Sequence, residues 1–276
     1  MIVEHAPAKL NLALHVRARR ADGFHELETL FAFCRDGDLI EVERADSESF
    51  VVDGPFAGAL SGEDDNLVLR ARRAFAARVG DPGPVAIRLV KRLPVASGLG
   101  GGSADAAATL RALARLEGNA ADDPRLFAIA EGLGSDVPAC LLNRPAIGRG
   151  RGERLEAVTG VPHLPVLLVN PGVAVPTGPV FAAWDGVDRG PLTMGSDVLA
   201  AVRAGRNDLA TPAITLAPAI AAALALMEDT RPLLARMSGS GATCFALYPD
   251  QASRTAAAEA IGAARPDWWC LETELG

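Results

Sequence analysis

From residue 9 to residue 16 the chain reads Lys-Leu-Asn-Leu-Ala-Leu-His-Val, an apolar–polar alternation that predicts a β-strand. Residues 27–33 and 39–42 continue in the same style, and Asp22-Gly23 is a hairpin-turn signal ahead of them. Asp65 or Asn66 is placed to cap a helix running through Leu69, Ala71, Ala74, Phe75 and Val79, with Gly80 as its stop. The β-branched run 85–90 predicts another strand, after which Pro94 leads into a glycine-rich loop. A helix is predicted over 103–117 from the apolar spacing of Leu110, Leu113, Ala114 and Leu116, stopped by Gly118 and Asn119. Asp123-Pro124 supplies an N-cap and a first-turn proline for the next helix, which ends near Gly132 and Gly134.

Residues 143–165 are rich in glycine and proline and carry Arg149, Arg151, Glu153 and Arg154, so the domain boundary is expected near residue 155, giving domains 1–155 and 156–276. Beyond it, strands are predicted at 165–169 and 268–275 and helices at 218–227 and 251–264. The stretch 237–248 reads as a strand broken by Gly239-Ser240-Gly241. Strands of antiparallel type mixed with helices predict an α+β fold.

Composition narrows the function classes. With 276 residues, two domains are expected, and 49% hydrophobic residues suffice for packed cores, which excludes a disordered chain. A formal net charge of −7 removes the usual footprint of a nucleic-acid binder, so no nucleic-acid partner is expected. Cys34, Cys140, Cys244 and Cys270 are scattered without a CxxC pair, which suggests neither zinc nor a disulfide framework. The longest apolar stretch, 213–227, contains Pro218 and is shorter than the roughly 20 residues of a membrane span. A reduced, soluble, cytoplasmic protein without a membrane partner is therefore expected, and the expected assembly is a monomer or weak homodimer. Only two of the 27 basic residues are lysines, Lys9 and Lys91. On exposed surfaces the two cations interchange, but a site that needs a compact point charge cannot accept a wide guanidinium fork.

The densest chemical signal is the string from Pro94 through Gly98-Leu99-Gly100-Gly101-Gly102-Ser103 to Ala107. Its glycines let the backbone approach an anion, and the helix that follows points unpaired N–H groups at the same place. A dinucleotide fold lacks its acidic partner here, and the absence of GK[ST] excludes a Walker P-loop. A plain flexible loop fits the local sequence as well.

This string resembles the second motif of the GHMP kinases (galactokinase, homoserine, mevalonate and phosphomevalonate kinases). Further blocks are similar to one member of that family: Pro7-Ala8-Lys9-Leu10-Asn11, Asp22-Gly23-Phe24-His25, Asp65-Asn66-Leu67, Lys91-Arg92-Leu93-Pro94, Gly134-Ser135-Asp136-Val137-Pro138, Pro171-Gly172-Val173 and Ser238-Gly239-Ser240-Gly241. The resemblance implies a ribosomal-protein-S5-like N-terminal domain and a ferredoxin-like C-terminal one. It also implies an ATP- and Mg2+-dependent kinase of isoprenoid-precursor synthesis, acting on the 2-hydroxyl of a polyol that carries a cytidine diphosphate group. A homoserine- or mevalonate-type kinase is the alternative within the family. A non-catalytic nucleotide-binding regulator would need neither Lys9 nor Asp136.

By the same resemblance Asp136 is the base and Lys9 stabilises charge beside it, although Asp136 also suits an N-cap and Lys9 a surface strand. Asn66, Leu67, Lys91, Pro94, Gly98, Leu99, Gly100, Gly101, Gly102 and Ser103 would bind ATP, with Ser103 facing the phosphates or Mg2+. Asn11, Phe24, His25, Thr177 and Phe181 would bind substrate. Phe24, His25 and Phe181 resemble the family's clamp for cytosine, with Phe24 standing where the family more often has tyrosine. The loop departs from the commoner family form, in which two serines precede the alanines: here Ser103 is followed by Ala104 and then Asp105, and Asp105 is expected to face away from phosphate or to reach Mg2+ through water.

Overall fold

The computed structural model describes residues 1–60 and 66–276; Asp65, the alternative cap, lies outside the described residues. The first two strands, β1 (Ile2–Arg19) and β2 (His25–Arg44), are much longer than the alternation suggests. The Asp22-Gly23 turn joins them, with Gly23 at φ +86° and the Arg20 N–H donating to Phe24 O at 2.8 Å. The polar break at 35–38 between the two predicted runs stays extended because Gly37 lets the chain pack on β1. A Cβ there would collide with the backbone of Ala6 and Pro7.

The chain packs as two compact units that interleave in sequence, residues 1–9, 36–95 and 100–143 in one and 10–35, 96–99 and 144–276 in the other. Neither unit is one continuous stretch, since β1 and β2 each supply residues to both. The sequence suggests a cut near residue 155.

In the first unit, β4 (Val85–Val90) lies between β3 (Ser49–Asp53), parallel to it, and the C-terminal half of β2, antiparallel, with Leu39 opposite Val90. A 3-10 turn, Ala57–Leu60, follows β3. Helices α1 (Leu67–Arg78), α2 (Gly101–Leu116), α3 (Pro124–Leu133) and α4 (Val137–Leu142) pack on one another. Asn66 caps α1 by accepting from Leu69 N at 3.1 Å, and Asp123 caps α3. Every residue of α2 from Ala104 to Leu110 is buried, which alanines permit by letting neighbouring helices approach closely. Phe75 and Leu113 are fully buried, each worth about 1.5–3 kcal/mol of apolar transfer.

In the second unit, the N-terminal half of β2 pairs with β5 (Ala146–Gly150), which pairs in turn with β6 (Arg154–Ala157). This hairpin occupies the glycine-rich segment that reads as a boundary. Its glycines serve packing: a Cβ on Gly148 would meet the Phe31 ring at 2.6 Å. A second sheet has the order β10 (Trp269–Glu274), β7 (Pro165–Asn170), β9 (Cys244–Leu247), β8 (Leu234–Met237), all antiparallel. Helices α5 (Thr177–Ala182), α6 (Val198–Ala204), α7 (Ala210–Leu216), α8 (Ala219–Asp229) and α9 (Gln251–Ala264) complete it. Its core gathers Leu167, Val169, Trp184, Ile220, Met227 and Tyr248. Among the described residues no single helix is long and apolar enough to cross a membrane.

Candidate active site

In the first unit the glycine string ends by starting α2. Gly100 is its N-cap in the left-handed region, at φ +65°, and a Cβ there would meet Lys9 Cε at 2.9 Å and lie 3.9 Å from Asp136 Oδ2. Lys9 is 2% exposed on β1, and its Nζ is 2.9 Å from Asp136 Oδ2. Asp136 occupies the N-cap position of α4, yet its side chain makes no capping hydrogen bond. Its carboxylate is turned to Lys9 instead and stays about one-third exposed, at 32%. A carboxylate held by an ammonium and still open to solvent can accept a proton from an incoming hydroxyl.

Lys91 is 2% exposed, and its Nζ sits between Asp38 Oδ2 at 2.5 Å and Asp105 Oδ2 at 2.7 Å. Asp105 is turned inward, on α2, as one limb of this pair of contacts. Burial pushes its carboxyl up to about 7, against the pull of Lys91. Burial by itself would lower the Lys91 ammonium, but the charges of Asp105 and Asp38 outweigh it and hold Lys91 above its ordinary value. Pro94 and Ser103 are half-buried and Gly102 is exposed. Leu67, at the start of α1, packs beside the opening of α2, its Cδ1 being 3.5 Å from where a Gly102 Cβ would stand. Leu67 is thus brought beside the helix N-terminus that holds Gly101, Gly102 and Ser103, while Asn66 precedes Leu67 as the cap of α1.

Gly98 and the fully buried Leu99 belong to the second unit. Gly98 has φ +81°, and a Cβ there would stand 2.5 Å from Ser238 O and 2.8 Å from Gly241 O, so only glycine fits. The Ser238 hydroxyl donates to Gly98 O at 3.0 Å. Asn11 lies against the same segment: its N–H donates to Ser238 Oγ at 3.3 Å and its Nδ2 to Thr29 Oγ1 at 2.8 Å. Thr177, at the start of α5, is 3.0 Å from the Ser240 hydroxyl.

His25 opens β2 with its ring centroid 5.0 Å from Phe181 and 5.7 Å from Trp184, the latter edge-on. Burial, and then the charge of Arg19, lowers the His25 imidazole below its ordinary value, so the ring is neutral at neutral pH. Its Nε2 has no hydrogen-bond partner among the described residues. Phe24 is 49% exposed, with the Arg151 guanidinium 5.0 Å above its ring. The sequence thus directs attention to His25, Phe24 and Phe181, while Trp184, Arg151 and Asp38 escape it. Asp38 is the one with a legible signal, an acidic residue directly before the strand-like run at 39–42.

Comparison with known proteins decides the family. The GHMP kinases N terminal domain matches residues 66–144 and the GHMP kinases C terminal domain residues 199–267. A 4-diphosphocytidyl-2-C-methyl-D-erythritol kinase of Rhizorhabdus wittichii is 56% identical, over 99% of this chain and 94% of its own length. The enzyme of the same name in Sphingopyxis alaskensis is 52% identical, over 97% of this chain and 96% of its own. The chain belongs to the GHMP kinase family. A crystal structure of 4-(cytidine 5'-diphospho)-2C-methyl-D-erythritol kinase superposes with TM-score 0.80 at 38% identity, covering 100% of this chain and 99% of that one. Homoserine kinase from Cytophaga hutchinsonii, at 17% identity and TM-score 0.73 over 99% of this chain and 93% of its own, shares the fold alone. As a GHMP kinase the chain is an ATP-dependent small-molecule kinase, and the α+β class expected from its strand and helix pattern is the one observed.

Proposed function

We propose that this GHMP kinase transfers the γ-phosphoryl group of ATP to the 2-hydroxyl of 4-diphosphocytidyl-2-C-methyl-D-erythritol, a step of non-mevalonate isoprenoid-precursor synthesis. The substrate follows from the names of relatives that match nearly the whole chain. The observation that carries the chemistry is the Lys9–Asp136 pair at 2.9 Å, with Asp136 released from capping.

Asp136 takes the proton of the substrate hydroxyl as that oxygen bonds to the γ-phosphorus. The bond from the γ-phosphorus to the bridging oxygen breaks, and ADP leaves with the electron pair. Lys9 stabilises the negative charge on the attacking and equatorial oxygens. Gly101, Gly102 and Ser103, at the N-terminus of α2, bind phosphate through backbone N–H groups. Asn66 and Leu67 flank the adenine, and Pro94, Gly98, Leu99 and Gly100 shape the loop. His25 offers its unpartnered Nε2 to the edge of cytosine, and Phe24 and Phe181 supply faces for stacking. Asn11 and Thr177 complete the substrate contacts.

Among the described residues no three His, Cys, Asp or Glu side chains cluster as a metal site. An Mg2+ ion that arrives with the nucleotide would take most of its ligands from phosphate and water, as Mg2+ prefers. Ser103 is the side chain of this chain that would join it. The ion, when bound, neutralises charge on the β- and γ-phosphates.

The test is turnover with ATP and 4-diphosphocytidyl-2-C-methylerythritol, with homoserine and mevalonate as competing acceptors. Phosphorylation of the cytidine compound alone is expected. Preference for a free alcohol, or no phosphorylated product, would overturn the reading.

A further inference from the structure

We propose that Asp38, Lys91 and Asp105 form a buried positioning device that ties together the two ends of the glycine string, so that Lys91 governs ATP binding through the backbone and not by touching the nucleotide. This rests on the kinase reading above and concerns residues of the first unit only.

Each member of the trio comes from a different element. Asp38 is on β2, Lys91 follows the last residue of β4, and Asp105 is in the second turn of α2. Asp38 is fully buried and uses both oxygens: Oδ1 accepts from the N–H groups of Arg92 at 2.5 Å and Leu93 at 2.8 Å, and Oδ2 accepts from Lys91 Nζ at 2.5 Å. The backbone that leads into Pro94 is therefore pinned to β2. At the other end of the string, Asp105 Oδ2 accepts from the same Nζ at 2.7 Å. Its Oδ1 has no partner among the described residues, so Lys91 alone compensates this carboxylate. Gly101 leaves just enough space for the ammonium, since a Cβ on it would stand 3.0 Å from Nζ and 3.6 Å from Asp38 Oδ2.

With both carboxylates within 2.7 Å and 2% exposure, the ammonium is committed to the protein. What it delivers to ATP is the direction of the first N–H groups of α2 and their spacing from the residues just ahead of Pro94. Preorganised donors of this kind act only while the elements that hold them are fixed. Removing the cation takes away the bridge between the Asp38 and Asp105 side chains and leaves a buried carboxylate of Asp38 without its counter-charge, so β4 and the start of α2 lose the contact that fixes them to one another.

The test compares wild type, Lys91→Met and the charge-neutral triple variant Asp38→Asn/Lys91→Met/Asp105→Asn, with ATP affinity measured by calorimetry and KM and kcat by turnover. In the triple variant, the amide oxygen at position 38 still accepts from the N–H groups of Arg92 and Leu93, and no buried charge is left unpaired. Lys91→Met is expected to raise the Kd and KM for ATP at least tenfold, while KM for the alcohol substrate changes less than twofold. The triple variant is expected to return ATP affinity to within about threefold of wild type. Equal impairment of the two variants would show direct contact with the nucleotide and overturn the proposal, as would unchanged ATP affinity in Lys91→Met. If Lys91→Met does not fold, the triple variant decides, supporting the proposal by near-normal ATP affinity and overturning it by lost affinity or failure to fold. Wild-type turnover in the same assay separates this outcome from failure of the kinase reading itself.

Discussion

Asp136 Oδ2 accepts an ion pair from Lys9 Nζ at 2.9 Å although Asp136 stands where a helix N-cap belongs. A capping aspartate normally turns to the N–H groups of its own helix. Here the side chain leaves α4 uncapped and faces a lysine on β1, an arrangement that costs helix stability and creates a charged pair open on one side.

The packing around Lys9 explains why this position keeps one of only two lysines in the chain. Its Cε lies 2.9 Å from where a Gly100 Cβ would be, so the stem runs tight against the Gly100 backbone, and a guanidinium fork at its end would take the space beside Asp136 that a compact ammonium leaves. Lys9→Arg is expected to keep the charge and lower kcat by about a hundredfold or more, the scale of a lost electrostatic donor. Steady-state turnover with both substrates saturating checks it. Near-normal kcat in the arginine variant would remove the need for a compact ammonium.

Gly100→Ala meets two penalties at once. Its φ of +65° is unfavourable for a residue with a side chain, costing about 1–2 kcal/mol, and the added methyl collides with Lys9. Activity should fall at least tenfold with the global fold retained, as read by circular dichroism beside turnover. By contrast, Gly118→Ala meets no neighbour within 4 Å and carries only the backbone cost at φ +70°, so its turnover should be unaffected.

His25 should act on substrate affinity and not on the chemical step. Because burial lowers its imidazole from 6.5, the midpoint of its protonation lies below that pH. The KM for the cytidine substrate is expected to be flat from pH 8 down to the ordinary histidine range and to rise as the pH falls further. His25→Ala should raise that KM at least tenfold and abolish its acid-side rise. Initial rates across pH 5–8 measure both.

Asp105 gives a stability prediction with a definite sign. Burial raises its carboxyl to about 7 in the folded chain, so its contribution is full below the ordinary carboxylate range near pH 4 and is lost as the pH rises through about 7. Lys91 is held above its ordinary value and stays charged throughout this window. Asp105→Asn should therefore flatten the fall in Tm between pH 5 and pH 8 and be at least as stable as wild type at pH 8. A gain of about 1 kcal/mol corresponds to roughly 2–4 °C, well within calorimetric resolution.

Much of this was legible in the chain itself, and the exceptions have physical causes. Helices α1 and α3 announce themselves through Asn66, Asp123 and Pro124, because capping is local chemistry. The continuity of β2 does not, since it depends on Gly37 packing against Ala6 from a distant stretch. The hairpin of β5 and β6 looks like a linker because glycines that make room for an aromatic ring resemble glycines of a flexible segment. At the site, the motif residues Lys9, Asp136 and His25 are visible in sequence, but the partners of Lys91 and His25 are not. The ion pair of Lys91 with Asp38 spans 53 positions, and Trp184 meets His25 only through folding. A buried ammonium and a nucleotide-facing one read identically as a lysine before Arg-Leu-Pro.

The most direct measurement of the account is a single-turnover reaction of γ-labelled ATP with 4-diphosphocytidyl-2-C-methylerythritol, comparing wild type with Asp136→Ala and Lys9→Ala while ATP affinity is followed separately. Wild type should place the label on the 2-hydroxyl, and each variant should bind ATP within a few-fold of normal. Each should slow phosphoryl transfer by about a hundredfold or more, the range of lost acid–base catalysis. Transfer at near-wild-type rate in the alanine variant of either residue would contradict the account.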